Sequence, residues 1–183
     1  MKGAVKELLG DIAYHDDIQN YEQAKEYYTS AINERPKYAE IYVKIGKCNE
    51  KLRLFDDAIK MFKKGIKKDP EHFDAHYKLG LVYVRNNQRQ KGLEMLLKAH
   101  EIQPDDIETL LKISEIYLRD DQKLDEAERY IKMALELNND IPEAHISLGR
   151  IYDKKGIDDL ALEQYKIGIK GKINMNSKLQ ALG

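Results

Sequence analysis

Five histidines (His15, His72, His76, His100 and His145) and one cysteine, Cys48, are the side chains of this 183-residue chain best suited to metal binding or nucleophilic attack. His72 and His76 are four residues apart, a spacing that on one helix offers two imidazoles to a metal. His72, however, falls in the loop before that helix, and no third ligand is evident. His76 and His145 occupy equivalent large, core-facing positions and are expected to fill space and bond a neighbour. Cys48 sits on an apolar helix face without a histidine at a suggestive spacing, which reads as an inert core thiol. No glycine-rich phosphate loop, GxSxG or HExxH occurs. The Asp-Asp pairs at Asp16-Asp17, Asp56-Asp57, Asp105-Asp106, Asp120-Asp121 and Asp158-Asp159 fall near helix starts and turns, where capping and the helix dipole account for them. No catalytic residue, cofactor or metal is therefore expected, and the chain is not expected to be an enzyme.

The remaining chemistry is charge. Lys and Arg number 31 against 32 Asp and Glu, a formal net charge of -1. That balance argues against a protein whose main task is binding nucleic acid or an anionic membrane surface. Two cationic series nonetheless recur. Lys44, Lys78 and Lys112 form one, and Lys51, Arg85, Arg119 and Lys154 the other, with Lys47, Leu81 and Arg150 between them. Glu40, Asp74 and Glu108 each precede a lysine of the first series by four residues, a favourable order for ion pairs along a helix. Only Arg119 in the second series has an acid in that place, so the second series calls for an anionic guest. Beside them run Val43, Tyr77, Leu111 and Ile146, an apolar strip.

These residues recur because the chain repeats. Pro36, Pro70 and Pro104 are evenly spaced, as are Gly46 and Gly80. Small residues run Ala24, Ala58, Gly92, Ala127, Ala161 and again Ala31, Gly65, Ala99, Ala134, Gly168, with Tyr28, Phe62, Leu96, Ile131 and Tyr165 between the two series. Each period splits into two helical stretches. One places Ile41, Ile45, Cys48 and Leu52 on a single face; the next does so with Ala58, Ile59, Phe62 and Ile66. The short turn at Arg53-Leu54-Phe55 makes the two antiparallel neighbours. Asp56 or Asp57 is expected to cap the second helix, which ends at Asp69-Pro70. Closely crossing helices cannot both be bulky, so Gly46 is expected opposite Ala58, with Phe62 and Tyr42 around them.

The pattern resembles the tetratricopeptide repeat, W-x₂-L-G-x₂-Y followed by A-x₃-F, a small residue and a closing Pro. Tyr42, Ile45, Gly46, Asn49, Ala58, Phe62, Gly65 and Pro70 carry it in one repeat; His76, Leu79, Gly80, Tyr83, Gly92, Leu96, Ala99 and Pro104 carry it in the next. The first repeat needs a turn two residues longer, and the fourth has one extra residue and Ser114 at the Gly position. The resemblance implies an all-α, right-handed solenoid of five antiparallel helix pairs at about 3–38, 39–72, 73–106, 107–141 and 142–175, with a short tail at 176–183. The tail is too short for an ordinary amphipathic helix, so Leu162, Tyr165 and Ile169 are expected to form an uncovered edge open to self-association.

The resemblance also implies that the first helix of each pair lines a concave groove. That groove would present both cationic series, Lys47, Leu81, Arg150 and the strip Tyr77, Leu111, Ile146 to a protein or peptide, most readily an acidic one. The carboxylate clamp of the family's chaperone-binding members maps onto Glu7, Asp11, Lys44, Asp74 and Lys78, whose acids would repel a carboxylate. A standard clamp is not expected. A non-catalytic interaction scaffold follows, with a structural subunit of a complex or a regulatory domain of a larger enzyme as alternatives. The single cysteine suits a reducing compartment, no stretch of 18 apolar residues spans a membrane, and Met1 to Gly10 lacks a signal-type apolar run. A cytoplasmic location is the corresponding expectation.

Overall fold

A computed structural model describes residues 2–15 and 17–182, with side chains as far as residue 174. Ten α-helices are present among the described residues: α1 (Lys2–Tyr14), α2 (Tyr21–Ile32), α3 (Ala39–Lys51), α4 (Phe55–Lys68), α5 (Phe73–Arg85), α6 (Arg89–Ile102), α7 (Ile107–Tyr117), α8 (Leu124–Leu137), α9 (Pro142–Lys154) and α10 (Asp158–Leu182). They form two compact units. The first runs through Gln103 and holds α1–α6; the second begins at Pro104 and holds α7–α10. Within each unit successive helices pack as antiparallel pairs, and each pair packs on the next. No helix among the described residues is long and apolar enough to cross a membrane.

The pairs close on a bare backbone. A Cβ added to Gly46 on α3 would lie 2.6 Å from the Phe62 ring on α4. Gly80 stands in the same relation to Leu96, and Gly149 to Tyr165, at 2.8 and 2.7 Å. Where the fourth repeat has Ser114, its hydroxyl donates to the Ala127 carbonyl at 2.9 Å, so the extra atom is absorbed by a hydrogen bond. Glycine here costs helix propensity but permits the crossing distance.

The other end of three of the pairs is fixed by a second recurring contact. The Tyr42 hydroxyl donates to the Pro36 carbonyl at 3.1 Å. His76 Nε2 bonds the Pro70 carbonyl at 2.9 Å, and His145 Nε2 the Asn139 carbonyl at 3.0 Å. These histidines are buried parts of the repeat frame. His72 instead starts α5: its Nδ1 accepts from the Ala75 amide, and its Nε2 meets Glu40 at 3.0 Å. The two imidazoles thus serve different partners. Cys48 is fully buried, and burial pushes its thiol up to about 12, well above the range of a reactive thiolate.

The turns inside the pairs explain the spacing irregularities. Arg53, Asn87 and Gly156 adopt left-handed φ values of 61°, 57° and 71°. At each, the amide of the following residue bonds back to the carbonyl five positions earlier: Leu54 to Asn49, Gln88 to Tyr83 and Ile157 to Tyr152, the wide bond of a Schellman cap. The extra residue after α7 is taken up by a 3₁₀ turn at Asp121–Lys123.

Two expectations need correction. Asp56 and Asp57 do not cap α4; its N-cap is Leu54, and both acids lie in the first turn, at the positive end of the dipole. The aspartates that do cap are Asp106, on the Thr109 amide, and Asp120, on the Gln122 amide; Asp16 lies outside the described residues. The segment read as a short tail is the continuation of α10, which runs to Leu182. Ile173 stands where Pro36, Pro70 and Pro104 fall in the first three repeats, so no proline interrupts the helix there.

The Gly46 contact makes a direct prediction. Gly46→Ala gains helix propensity but drives a methyl into Phe62, so a net loss of about 1–2 kcal/mol in urea unfolding is expected. Adding Phe62→Ile, the large residue that faces Ser114 in the fourth repeat, should recover part of that loss.

Candidate functional site

The first helices of the pairs carry most of the residues singled out for binding. In the first unit these are α1, α3 and α5. Lys44 on α3 faces α1, with only a fifth of its side chain exposed. Its Nζ donates to Glu7 at 2.9 Å and to both oxygens of Asp11, at 2.8 and 3.1 Å. Burial pulls the ammonium's pKa down, but the bonds to Asp11 and Glu7 outweigh it and leave it raised. Arg35 holds the other oxygen of Glu7 at 2.9 Å, and the Tyr28 hydroxyl donates to Asp11 at 2.8 Å. Burial, reinforced by that carboxylate, pushes the phenol's pKa up. The network lines a cavity of about 140 Å³ with Tyr14 and Lys47.

Further along, Lys47 pairs with Asp74 and Arg85 with Glu50, each joining α3 to α5. The three pairs expected for the first series, Glu40–Lys44, Asp74–Lys78 and Glu108–Lys112, do not form among the described residues. Glu40 goes to His72, Asp74 to Lys47, and Lys112 to Glu115 at 3.2 Å. Lys51 and Lys78 differ from the rest of the series. Each lies near an aromatic ring, Tyr21 at 5.9 Å and Tyr77 at 5.4 Å, and neither has a carboxylate partner among the described residues.

In the second unit Glu115 is shared by Lys112 and Arg119, the latter at 3.0 Å. Burial raises the Glu115 carboxyl, but the two cations outweigh it and hold it below the usual carboxylate range. Lys154 pairs with Asp121. Arg150 is exposed and has no ion pair among the described residues. Of the second cationic series, Arg85 and Lys154 are answered by acids of the preceding repeat and Arg119 by Glu115, four residues earlier. Position four was the right place to look for Arg119 alone.

The apolar strip also takes a different role. Val43 is fully buried, with its Cγ2 3.0 Å from where a Cβ on Gly65 would lie. Ile146 covers Gly168 in the same way at 2.7 Å. Tyr77 is 4% exposed and stacks on Phe73 at 5.9 Å. Leu111 packs, half-buried, against the core around Ile131 and Leu148. These side chains fill the space over the small residues of the second helices. Leu81 is half-buried and keeps some apolar surface.

Sequence reasoning missed Glu50, Asp121 and a cluster in the second unit. There Glu128 accepts from Lys132, Lys155 and, at 3.2 Å, the Tyr152 hydroxyl, while Lys155 also reaches Asp125. Burial raises the Glu128 carboxyl, but the hydrogen bonds from Lys132 and Lys155 outweigh it and leave it lowered. The available signal was an acid about one repeat before a cation: Asp11 before Lys44, Glu50 before Arg85, Asp121 before Lys154.

Stacked antiparallel helix pairs with glycine, or once serine, at the crossing define a helical-repeat scaffold, a class that binds proteins. Family models agree. One described as tetratricopeptide repeat matches residues 14–64 and 116–171, a second residues 73–106, and a TPR repeat model residues 55–87. The chain belongs to the tetratricopeptide repeat family. Among solved structures it is similar to MamA, with a TM-score of 0.84 at 21% identity over 92% of this chain and 97% of that one. A MamA fragment from Desulfovibrio magneticus RS-1 gives 0.84 at 20% identity, covering 94% and 96%. YrrB, described as a TPR protein with an unusual peptide-binding site, gives 0.78 at 23%, covering 96% and 89%. These likenesses establish the fold. No curated protein sequence matches significantly.

Two predictions follow from the ion pairs. Lys44→Met leaves Glu7 and Asp11 facing each other half-buried, so α1 should loosen, with a loss of about 1–3 kcal/mol and faster amide exchange confined to α1 and its contacts. Glu115 and Glu128 have lowered pKa values, so their contribution is present above the ordinary glutamate range and is lost as pH falls through their folded values. Glu128→Gln should cost about 1 kcal/mol at neutral pH and flatten the acid limb of a stability–pH curve.

Proposed function

We propose that the chain is a non-catalytic scaffold whose first-helix face in the first unit takes an acidic segment of a partner protein. The observation that carries this reading is the remainder after internal pairing. Glu7, Asp11, Glu40, Glu50 and Asp74 are all engaged, whereas Lys51 and Lys78 have no carboxylate partner among the described residues. What that face offers a partner is therefore cationic, with the half-buried Leu81 as its apolar element. The paired members of the series in the first unit, Lys44, Lys47 and Arg85, set this face's shape more than its affinity. In the second unit Lys112, Arg119 and Lys154 are likewise paired, and Arg150, Glu108 and Asp153 have no ion pair among the described residues.

A similar fold in YrrB, described as having a peptide-binding site, supports a peptide as the form of the ligand. The closure of Lys44 by Glu7 and Asp11 supports a mode other than the chaperone carboxylate clamp. Solvated charge pairs contribute mainly orientation and encounter rate, with affinity completed by apolar burial.

The test is fluorescence anisotropy with a short labelled peptide of alternating Glu and Leu and its Gln–Leu counterpart. The Glu peptide should bind, weaken with added salt, and lose about tenfold in affinity on Lys51→Glu plus Lys78→Glu. Equal binding of both peptides, or an unchanged affinity in the double variant, would contradict the assignment.

A further inference from the structure

The two terminal helices each leave bare what the inner helices cover. On α3 the residues Ile41, Ile45 and Cys48 face α2; on α5 Ala75, Leu79 and Val82 face α4; on α9 Ala144, Leu148 and Ile151 face α8. None of these is more than 4% exposed. The repeat places Val5, Leu9 and Ile12 of α1 in the same three positions, and there they are 39–56% exposed. The second helices show the converse. Ile59 on α4 is 9% exposed beneath α5, whereas its equivalent on α10, Leu162, is 53% exposed. Ile169, equivalent to the partly buried Ile66, is 54% exposed. Tyr165 does not share this edge, because it packs over Gly149.

The face on α1 is thus the kind that inner first helices press onto a preceding second helix, and the face on α10 is the kind that receives it. An arbitrary apolar partner would need its own complement to one of these faces. A second copy of this chain already carries both. We propose that α1 of one copy docks on α10 of another, so that the protein assembles head to tail through the interface that stacks its own repeats. Such a contact is heterologous: it uses two different surfaces and leaves one of each free on the resulting dimer. The inference rests on burial at repeat-equivalent positions and is independent of the charge reading of the first-helix face.

Sedimentation velocity from micromolar to near-millimolar concentration tests it, with Ile12→Glu and Leu162→Glu as variants at exposed sites and helicity checked by circular dichroism. The wild-type chain should grow in mass with concentration. Each variant alone should remain monomeric, because each has lost one half of the contact. An equimolar mixture of the two should give dimers and stop there, since the intact α1 of one meets the intact α10 of the other. If Ile12→Glu disturbs folding, Val5→Glu blocks the same face. A monomeric wild type, self-association of the α1 variant at the wild-type level, or a mixture that stays monomeric would each overturn the proposal; the second of these would point to an α10–α10 contact instead.

Discussion

The absence of a side chain at one position of α1, α3, α5 and α9 sets how closely each of these helices approaches its partner. With Gly46 under the Phe62 ring, Gly80 under Leu96 and Gly149 under Tyr165, the two helices of a pair approach closely enough to share one core. The alternative, a methyl on each, would push the pair apart and strand the buried aromatic. Within a unit this approach brings the next first helix alongside the previous one. Only then do acids and cations one repeat apart in sequence come within bonding distance. The charge pattern of the inner face is therefore a consequence of packing at the pair crossing.

That dependence changes how the cationic series should be read. A lysine every repeat looks like a ladder waiting for an anion. In the folded chain Lys44 is held by two carboxylates, Lys47 and Arg85 by one each, and Lys154 by Asp121. Such pairs add little stability where they are exposed, but they fix side chains that would otherwise be free to engage a partner. On the proposed reading, recognition falls to the cations left over in the first unit, Lys51 and Lys78.

The repeat frame was legible because it is written in residue size, which survives substitution of one aromatic for another or of Ala for Gly. His76 and His145 were placed correctly for the same reason: the site demands a large side chain able to reach a carbonyl six residues back. The ion pairs were not legible from helical spacing, because Glu40, Asp74 and Glu108 have a local lysine and, once repeats stack, a competing cation or a different orientation. The strip through Val43, Tyr77 and Ile146 was misread because its burial depends on a different helix. What buries it lies on the second helix, at Gly65 and Gly168. The length of α10 was hidden by treating the final residues as a separate segment, when the absence of proline after Gly168 already allowed the helix to continue.

The lysines of this face divide into internally held and available ones. A ¹H–¹⁵N spectrum of side-chain ammonium groups at mildly acidic pH tests this division, because a lysine bonded to carboxylates keeps its protons long enough to be seen. A slowly exchanging resonance is expected for Lys44, assigned by its loss in Lys44→Met, and rapid exchange for Lys51 and Lys78. Fast exchange at Lys44, or protection at Lys51 and Lys78 equal to it, would contradict the division on which the proposed binding face rests.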